Sequence, residues 1–377
     1  MKNKSIHYWI DRAIDSQITR NVERLAAAPG VTRVAVMPDI HLSKKICNGV
    51  AIASNGVIFP EAVGGDIGCG YLMADVDGSQ GAFRNARKAE KLLQRLSQSV
   101  PIIRHSKETM ATQLPDDLLN TELTCESLEK MKQRDARVQW GTLGRGNHFV
   151  EFQKSSTGRI HLLLHSGSRA VGPAILAHHL KSATYDEASK LLFLDAESAE
   201  GQAYLHDMQW ARSYAAANRL RMLKQVHAML AGFGMSVDFE SVLDRDHNHV
   251  QQETHGSQTF WLHRKGTQRL PEGEIGIIPG SMGTPSFVVS GRGSADAFLS
   301  CSHGAGRRMS RTQAADRISA NDLKRQMKSV HFDLRKSRKL CDEAPGAYKD
   351  IRKVMKAQKD LVRIEEERLP VLNFKSG

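Results

Sequence analysis

Gly141-Thr142-Leu143-Gly144-Arg145-Gly146-Asn147-His148-Phe149-Val150-Glu151 is a glycine loop that runs into Asn-His and then into a strand-like segment. Shortly after it, residues 160–164 form a second apolar strand, which ends at His165-Ser166-Gly167-Ser168-Arg169. Two neighbouring strands thus carry a histidine at one end, each beside a small-residue turn. A lone histidine in such a place is usually structural. A pair of them begins to look like a site assembled at strand ends.

Working outward, the same pattern recurs. Upstream lies Gly64-Gly65-Asp66-Ile67-Gly68-Cys69-Gly70. Its glycines allow unusual backbone angles, so that Asp66 and Cys69 can converge on one point. A carboxylate and a thiolate are credible metal ligands; the alternative is a tight turn with a buried free cysteine. Further upstream, Asp39-Ile40-His41 sets an acid and a histidine past a strand end, a common place for function and for ordinary capping alike. Downstream, Asp246-His247-Asn248-His249 follows a strand over residues 237–243. Last comes Ser300-Cys301-Ser302-His303-Gly304-Ala305-Gly306-Arg307-Arg308-Met309-Ser310-Arg311. Its small residues let backbone N–H groups approach an anion, a helix starting there would add its positive end, and arginine forks suit phosphate oxygens. The plainer reading is a turn that opens a basic helix.

Candidate ligand loops therefore run through residues 64–306, which favours one domain with a site drawn from distant segments. The 377 residues can bury a sizeable core, and Lys plus Arg exceed Asp plus Glu by 53 − 41 = 12. That excess favours a polyanionic partner. The five cysteines are spread without CxxC pairs, which argues against a disulfide scaffold and for a reducing compartment. The first residues carry no apolar signal-peptide core, and no apolar run is long enough to span a bilayer. The expectation is a cytoplasmic protein with no membrane partner.

Periodicity fills in the rest. It predicts a helix over residues 11–28 ending at Gly30, and a strand over 32–37 stopped by Pro38. A strand pair within residues 50–59 turns at Asn55-Gly56. A strand over 71–76 and an amphipathic helix over 83–99 follow, then a long helix over 197–230 whose apolar residues recur at core spacing. Residues 347–367 read as helical and 369–374 as a last strand. The basic run between Arg317 and Lys339 reads as a solvated helix face or a nucleic-acid footprint.

The segments MPDIH, GDIGCG, GTLGRGNHFVE, HSGSRAVG, the pair His247-Asn248, RKGT, IPGSMG, SHGAGR and DEAPGAYKDI, with the closing Lys375, together resemble the RtcB family of RNA ligases, in the family's order and over nearly the whole chain. The resemblance implies a mixed α/β (α+β) fold: one domain over residues 1–377, with packed β-sheets flanked by helices. It implies a ligase that joins RNA 2′,3′-cyclic phosphate or 3′-phosphate ends to 5′-hydroxyl ends, using GTP and two Mn²⁺ ions. His303 takes the place of the nucleophile that carries GMP. Asp66, Cys69, His148, His165 and His247 take the places of the metal ligands, with Cys69 bridging. For the nucleotide the resemblance points to Asn147, Phe149, Glu151, Asn248, Ser281, Ser286, Gly304, Ala305, Gly306 and Lys375. Glu151 would accept from the guanine N1 and N2 hydrogens, and Tyr348 would stack on the base. Asn147 and Arg169 would bind the RNA terminal phosphate.

The chain departs from the family pattern at Arg145 and Ala170, and at Leu42-Ser43-Lys44-Lys45-Ile46-Cys47 in place of a glycine-rich segment. These traits resemble the subgroup whose genes accompany release factor H, implied to repair cleaved rRNA of the ribosomal decoding centre. Two other readings use the same residues. A dinuclear metal phosphodiesterase or nuclease would need the ligands but neither His303 nor a guanine pocket. A non-catalytic RNA-binding protein would use only the basic surface.

Overall fold

Ile160–Ser166 is buried along its whole length, as befits a strand covered on both faces. The computed structural model, which describes residues 5–10, 14–78, 81–105 and 113–376, sets it near the middle of a seven-stranded sheet. In chain order the strands are β1 (Ser5–Tyr8), β2 (Val31–His41), β3 (Asn48–Ser54), β4 (Val57–Ile58), β5 (Gly70–Gly78), β6 (Phe149–Ser155), β7 (Ile160–Ser166), β8 (Thr184–Asp186) and β9 (Leu191–Asp195). They continue as β10 (Met235–Asp246), β11 (Asn248–His255), β12 (Gln258–Lys265), β13 (Thr267–Arg269), β14 (Ile275–Ile278), β15 (Ser286–Gly291), β16 (Ser300–Ser302) and β17 (Val362–Lys375). The seven-stranded sheet has the order β10-β5-β7-β6-β17-β15-β14, and a five-stranded sheet has the order β1-β2-β3-β12-β11. The pairs β13–β16 and β4–β9–β8 complete the strand pairing.

Side chains alternate across a strand, so each sheet has two different faces. One face of the large sheet places Leu72, Phe152, Leu162, Leu164 and Leu372 against Leu92 and Leu96 of the helix Ala86–Ser99, and against Met222 and Val226 of the helix Ala199–Ala231. The five-stranded sheet packs Met37, Ala51 and Leu262 onto Ile278, Phe287 and Val289 of β14 and β15, so the two sheets share a core. Its outer face, with Val34, Val36 and Ile52, is covered by Val22 and Leu25 of the first helix, Ser16–Ala27. The fold is mixed α/β, with packed sheets and helices outside. No helix among the described residues is long and apolar enough to cross a membrane.

Several local expectations are corrected. Residues 362–367 are strand, not helix, and run on into the strand expected over 369–374; of the helix expected over 347–367, Ile351–Ala357 is α-helical. The alternating charges of Arg363 to Arg368 fit an i,i+4 helix pattern, but pairing with β15 and β6 wins. Pro38 does not end its strand. It lies where the β2–β3 register shifts between Val36 and His41, a place that tolerates a residue with no N–H. The turn at Asn55-Gly56 is present, but β4 leaves to pair with β9 instead of β3. The first helix starts at Ser16, capped by Asp15; of its expected start, residues 11–13 lie outside the described residues. The helix expected over 83–99 breaks at Asn85, whose side chain caps the second piece by accepting from the Lys88 N–H. The basic run from Arg317 to Lys339 is no single helix: it holds the short helix Ala320–Gln326 and a 3₁₀ turn.

Candidate active site

Alternation also builds the site. Tyr71 on β5, His165 on β7, Phe149 and Glu151 on β6, and Asn373 and Lys375 on β17 occupy one face of the large sheet. They are matched across it in register: Tyr71 to His165, His165 to Phe149, Phe149 to Lys375, and Glu151 to Asn373. This face looks into a cleft of ≈ 1420 Å³ whose far wall carries His303 to Arg311. Gly306, at φ +70°, explains one glycine of that wall, since a Cβ there would sit 2.0 Å from the Asp39 carbonyl oxygen. The helix expected to begin at this loop starts only at Arg311, capped by Ser310, so the loop draws nothing from a helix end.

Five sequence-predicted ligands meet around Cys69, and one of them, His165, lines the cleft. Cys69, His165 and His247 form one trio of donor atoms within 4.8 Å of one another; Asp66, Cys69 and His148 form another. Cys69 Sγ belongs to both, 3.1 Å from His165 Nε2 and 3.5 Å from His148 Nε2. Asp66 Oδ2 lies 3.0 Å from His148 Nε2, and His247 Nε2 lies 3.4 Å from His165 Nε2. Gly167 leaves room for the acid: a Cβ there would lie 2.2 Å from Asp66 Oδ1.

The protons decide what this cluster fits. His148 Nδ1 donates to the Leu143 carbonyl and His165 Nδ1 to the Asn147 carbonyl, both at 3.1 Å. Each Nε2 therefore turns a lone pair toward the sulfur and its neighbours. A lone pair 3.0 Å from a carboxylate oxygen needs something positive between them. A proton bridges one such pair at a time, whereas a cation satisfies a whole trio. The buried His247 Nδ1 has no hydrogen-bond partner either. Burial and the neighbouring imidazoles hold His165 and His247 well below the usual histidine range, so both stay neutral. Burial and then Asp66 push the Cys69 thiol well up, so the thiolate requires a cation beside it. The donor set fits one or two divalent metals of borderline softness.

His303 stands next to this cluster, its ring centroid 4.8 Å from that of His247. Its Nδ1 donates to Asp39 Oδ2 at 2.6 Å, and its backbone N–H reaches the same oxygen at 3.2 Å. Asp39 is fully buried. The ring is thus fixed as the tautomer with a basic Nε2. Sequence reasoning marked Asp39 as a place for function or capping and did not connect it with His303, 264 residues away.

The remaining predicted contacts divide into two groups. Asn147, Phe149, Glu151, Ser281, Gly304, Ala305, Gly306, Tyr348 and Lys375 all line the cleft. Buried Glu151 accepts from Gln153 Nε2 at 2.8 Å and Asn373 Nδ2 at 2.7 Å. Burial pushes its carboxyl up to about 7, despite these donors and the nearby Lys375. Asn248, Ser286 and Arg169 are not in the lining. Asn248 ties loops together, donating to the Asp66 carbonyl and accepting from the Gly266 N–H. Ser286 sits behind Glu151 and accepts from Gln153. Arg169, at φ 59°, donates to Thr142 Oγ1 and the Ile102 carbonyl.

One residue escaped the sequence reading altogether. Glu343, only 2% exposed, joins Arg307 NH1 at 3.1 Å, Arg311 NH1 at 2.6 Å, the Tyr348 hydroxyl at 2.7 Å and the Lys375 ammonium. The Arg307 guanidinium also lies over the Tyr348 ring, 5.1 Å from its centroid.

A buried imidazole–thiol–carboxylate centre beneath a cleft, with one more histidine poised by an acid, defines a mixed α/β protein with a site fit for divalent metal. Its kinship is narrower. The chain belongs to the RtcB family: the family model described as tRNA-splicing ligase RtcB matches residues 21–124 and 118–376. RNA-splicing ligase RtcB of Escherichia coli K12 is 35% identical over 401 residues, covering 96% of this chain and 95% of that protein. RNA-splicing ligase RtcB2 of Escherichia coli ATCC 25922 is 31% identical, covering 92% of this chain and 88% of its own length. tRNA-splicing ligase RtcB of Thermococcus kodakarensis is 29% identical over the same shares.

Proposed function

We propose that the protein is an RNA ligase in which His303 is the nucleophile. The observation that carries this reading is the Asp39–His303 contact beside the two donor trios, with His303 and His165 lining one cleft. With Nδ1–H held by Asp39, Nε2 of His303 is free to attack the α-phosphate of GTP. An N–P bond forms, the P–O bond to pyrophosphate breaks, and GMP remains on His303. GMP then passes to an RNA 3′-phosphate, freeing His303, and the 5′-hydroxyl of the second end displaces GMP as the strand is joined. A 2′,3′-cyclic phosphate is first opened to the 3′-phosphate.

Asp66, Cys69, His148, His165 and His247 would hold two Mn²⁺ ions, with Cys69 shared. Such ions supply charge neutralisation and Lewis acidity to phosphoryl transfer. Glu151 accepts from the guanine N1 and N2 hydrogens in its ionised form, which selects GTP over ATP. Gly304, Ala305 and Gly306 offer N–H groups to the phosphates; Tyr348, Phe149, Ser281 and Lys375 line the rest of the nucleotide's space. Asn147 at the rim, with Arg169 behind it, serves the RNA phosphate. The whole chain works as one cytoplasmic domain, because its site draws on residues from Asp39 to Lys375. Arg145, Ala170 and the segment 42–47 support a place in the release-factor-H-linked subgroup, with cleaved rRNA as the substrate.

The test is GTP labelled at its α-phosphate, given with Mn²⁺. The protein should take up an acid-labile label that His303→Ala abolishes. An unlabelled protein with metal demonstrably bound would overturn the ligase reading and favour a dinuclear phosphodiesterase.

A further inference from the structure

The helix Ser16–Ala27 and the segment after β2 form one rim of the cleft that holds His303. Asn21 Nδ2 and Arg24 NH2 both donate to the Lys45 carbonyl, at 2.7 and 2.8 Å, and Asn21 Oδ1 accepts from the Cys47 N–H at 3.0 Å. The segment 42–47, where this sequence leaves its family's glycine-rich pattern, is therefore pinned to the helix. Pinning turns Leu42, Ser43 and Lys44 outward onto the cleft wall, and Arg20 joins them from the helix.

The charges on the two sides of the cleft differ. Arg307 and Arg311 are neutralised by Glu343 and Asp342. Arg20 and Lys44 are exposed and form no ion pair or hydrogen bond among the described residues. Arg308, also exposed, spends only Nε on the Gly346 carbonyl, at 2.7 Å. The cleft, at ≈ 1420 Å³, is larger than the roughly 300–1,000 Å³ that encloses a small ligand. Leu42, 48% exposed, adds an apolar contact among these cations.

We infer that this rim carries the single-stranded RNA next to the ends being joined, with Arg20 and Lys44 of the rim, and Arg308 from the wall that holds His303, taking its phosphates. The inference rests on the ligase reading and assigns the substrate surface of that site. Free cations along a groove that leads to the reacting histidine suit a polyanionic strand, and backbone contacts of this kind set its register while leaving base identity open. A pinned rim also loses little entropy on binding.

The experiment measures binding of a 5′-hydroxyl single-stranded RNA to the full chain by fluorescence anisotropy, over a range of salt. For Arg20→Gln/Lys44→Gln the affinity should fall about tenfold. The slope of log K against log salt should flatten by about 1.4, at about 0.7 for each phosphate that is no longer neutralised. Guanylylation of His303, assayed without RNA, reports whether the fold and nucleotide pocket survive. Unchanged affinity and slope, in this variant and in Arg20→Glu/Lys44→Glu, would overturn the inference. So would an acidic polypeptide that binds as tightly with the same dependence on Arg20 and Lys44, which would point to a protein partner. RNA binding that depends on these residues in a protein that never takes up GMP would sink the ligase reading and leave the rim standing.

Discussion

Two clusters of ionisable groups border the same cleft, one through Arg307, Arg311, Tyr348 and Lys375 and the other through His165, and they are built on opposite principles. Around Glu343, one buried acid meets Arg307, Arg311, Lys375 and the Tyr348 hydroxyl, so opposite charges and donors satisfy one another. Around Cys69, acceptors crowd together: three imidazole Nε2 atoms, a sulfur and a carboxylate stand with neighbours about one hydrogen-bond length apart. The first cluster is complete in the bare chain and braces the wall where a nucleotide would lie. The second is held open by its surroundings, because the Leu143 and Asn147 carbonyls fix the ring protons on the far side of His148 and His165. The difference separates a group of residues that stabilises the fold from one that waits for a cation.

The largest effect should come from Cys69→Ala, which removes one corner of both trios at once. Calorimetric titration should show metal uptake abolished at both positions. RNA joining should fall by at least about 100-fold, more than removing a group that merely orients a ligand would cost. A variant that still binds one metal with full affinity would break the idea of a shared sulfur. Glu343→Ala tests the other cluster. It strands the buried Lys375 ammonium and takes the acid from Arg307, while Arg311 keeps Asp342, and urea denaturation should show a loss of about 3 kcal/mol without added metal or nucleotide. A near-zero cost would erase the contrast between the clusters. The smallest effect concerns Glu151, whose carboxyl is pushed from 4.5 up to about 7. Its folded value is the higher one, so its contribution to stability is full below about pH 4.5 and is lost as the pH rises through about 7. Guanine needs the ionised form, so GTP affinity should move the opposite way. It should rise roughly tenfold between about pH 6 and pH 8, and Glu151→Gln should flatten the profile.

Much of the cluster around Cys69 was legible, because its members stand in or beside small-residue turns near strand ends and sequence displays such turns directly. His148 and His165 were expected at the ends of neighbouring strands beside glycine-rich turns; His148 directly precedes β6, His165 lies near the end of β7, and the two strands are paired. The partner of His303 was not legible in the same way. Asp39 lies inside a strand that continues past a proline, and only the packing of β16 against β2 brings the two together. Glu343 was hidden more deeply. It sits in a 3₁₀ turn without periodicity, and its partners come from three separate stretches of chain. The first half of the last strand was read as helix for a related reason: Arg363 and Glu367 stand at helical i,i+4 spacing, whereas the strand's place in the sheet is set by β6 and β15. Asn248 and Ser286 show the converse limit. A polar residue inside a motif can serve the cleft by tying loops or backing a carboxylate, without lining it.

β17, the last strand of the chain, lies inside the large sheet between β6 and β15 instead of at its edge. The contact of Lys375 with Asn147 closes a loop of 228 residues, and that of His303 with Asp39 one of 264. Closures of this span set the pace of folding in sheet-rich proteins. On a ribosome, β6 has β7 beside it but waits for its other neighbour until residues 362–375 have emerged, so the cleft takes shape only once those distant residues are available.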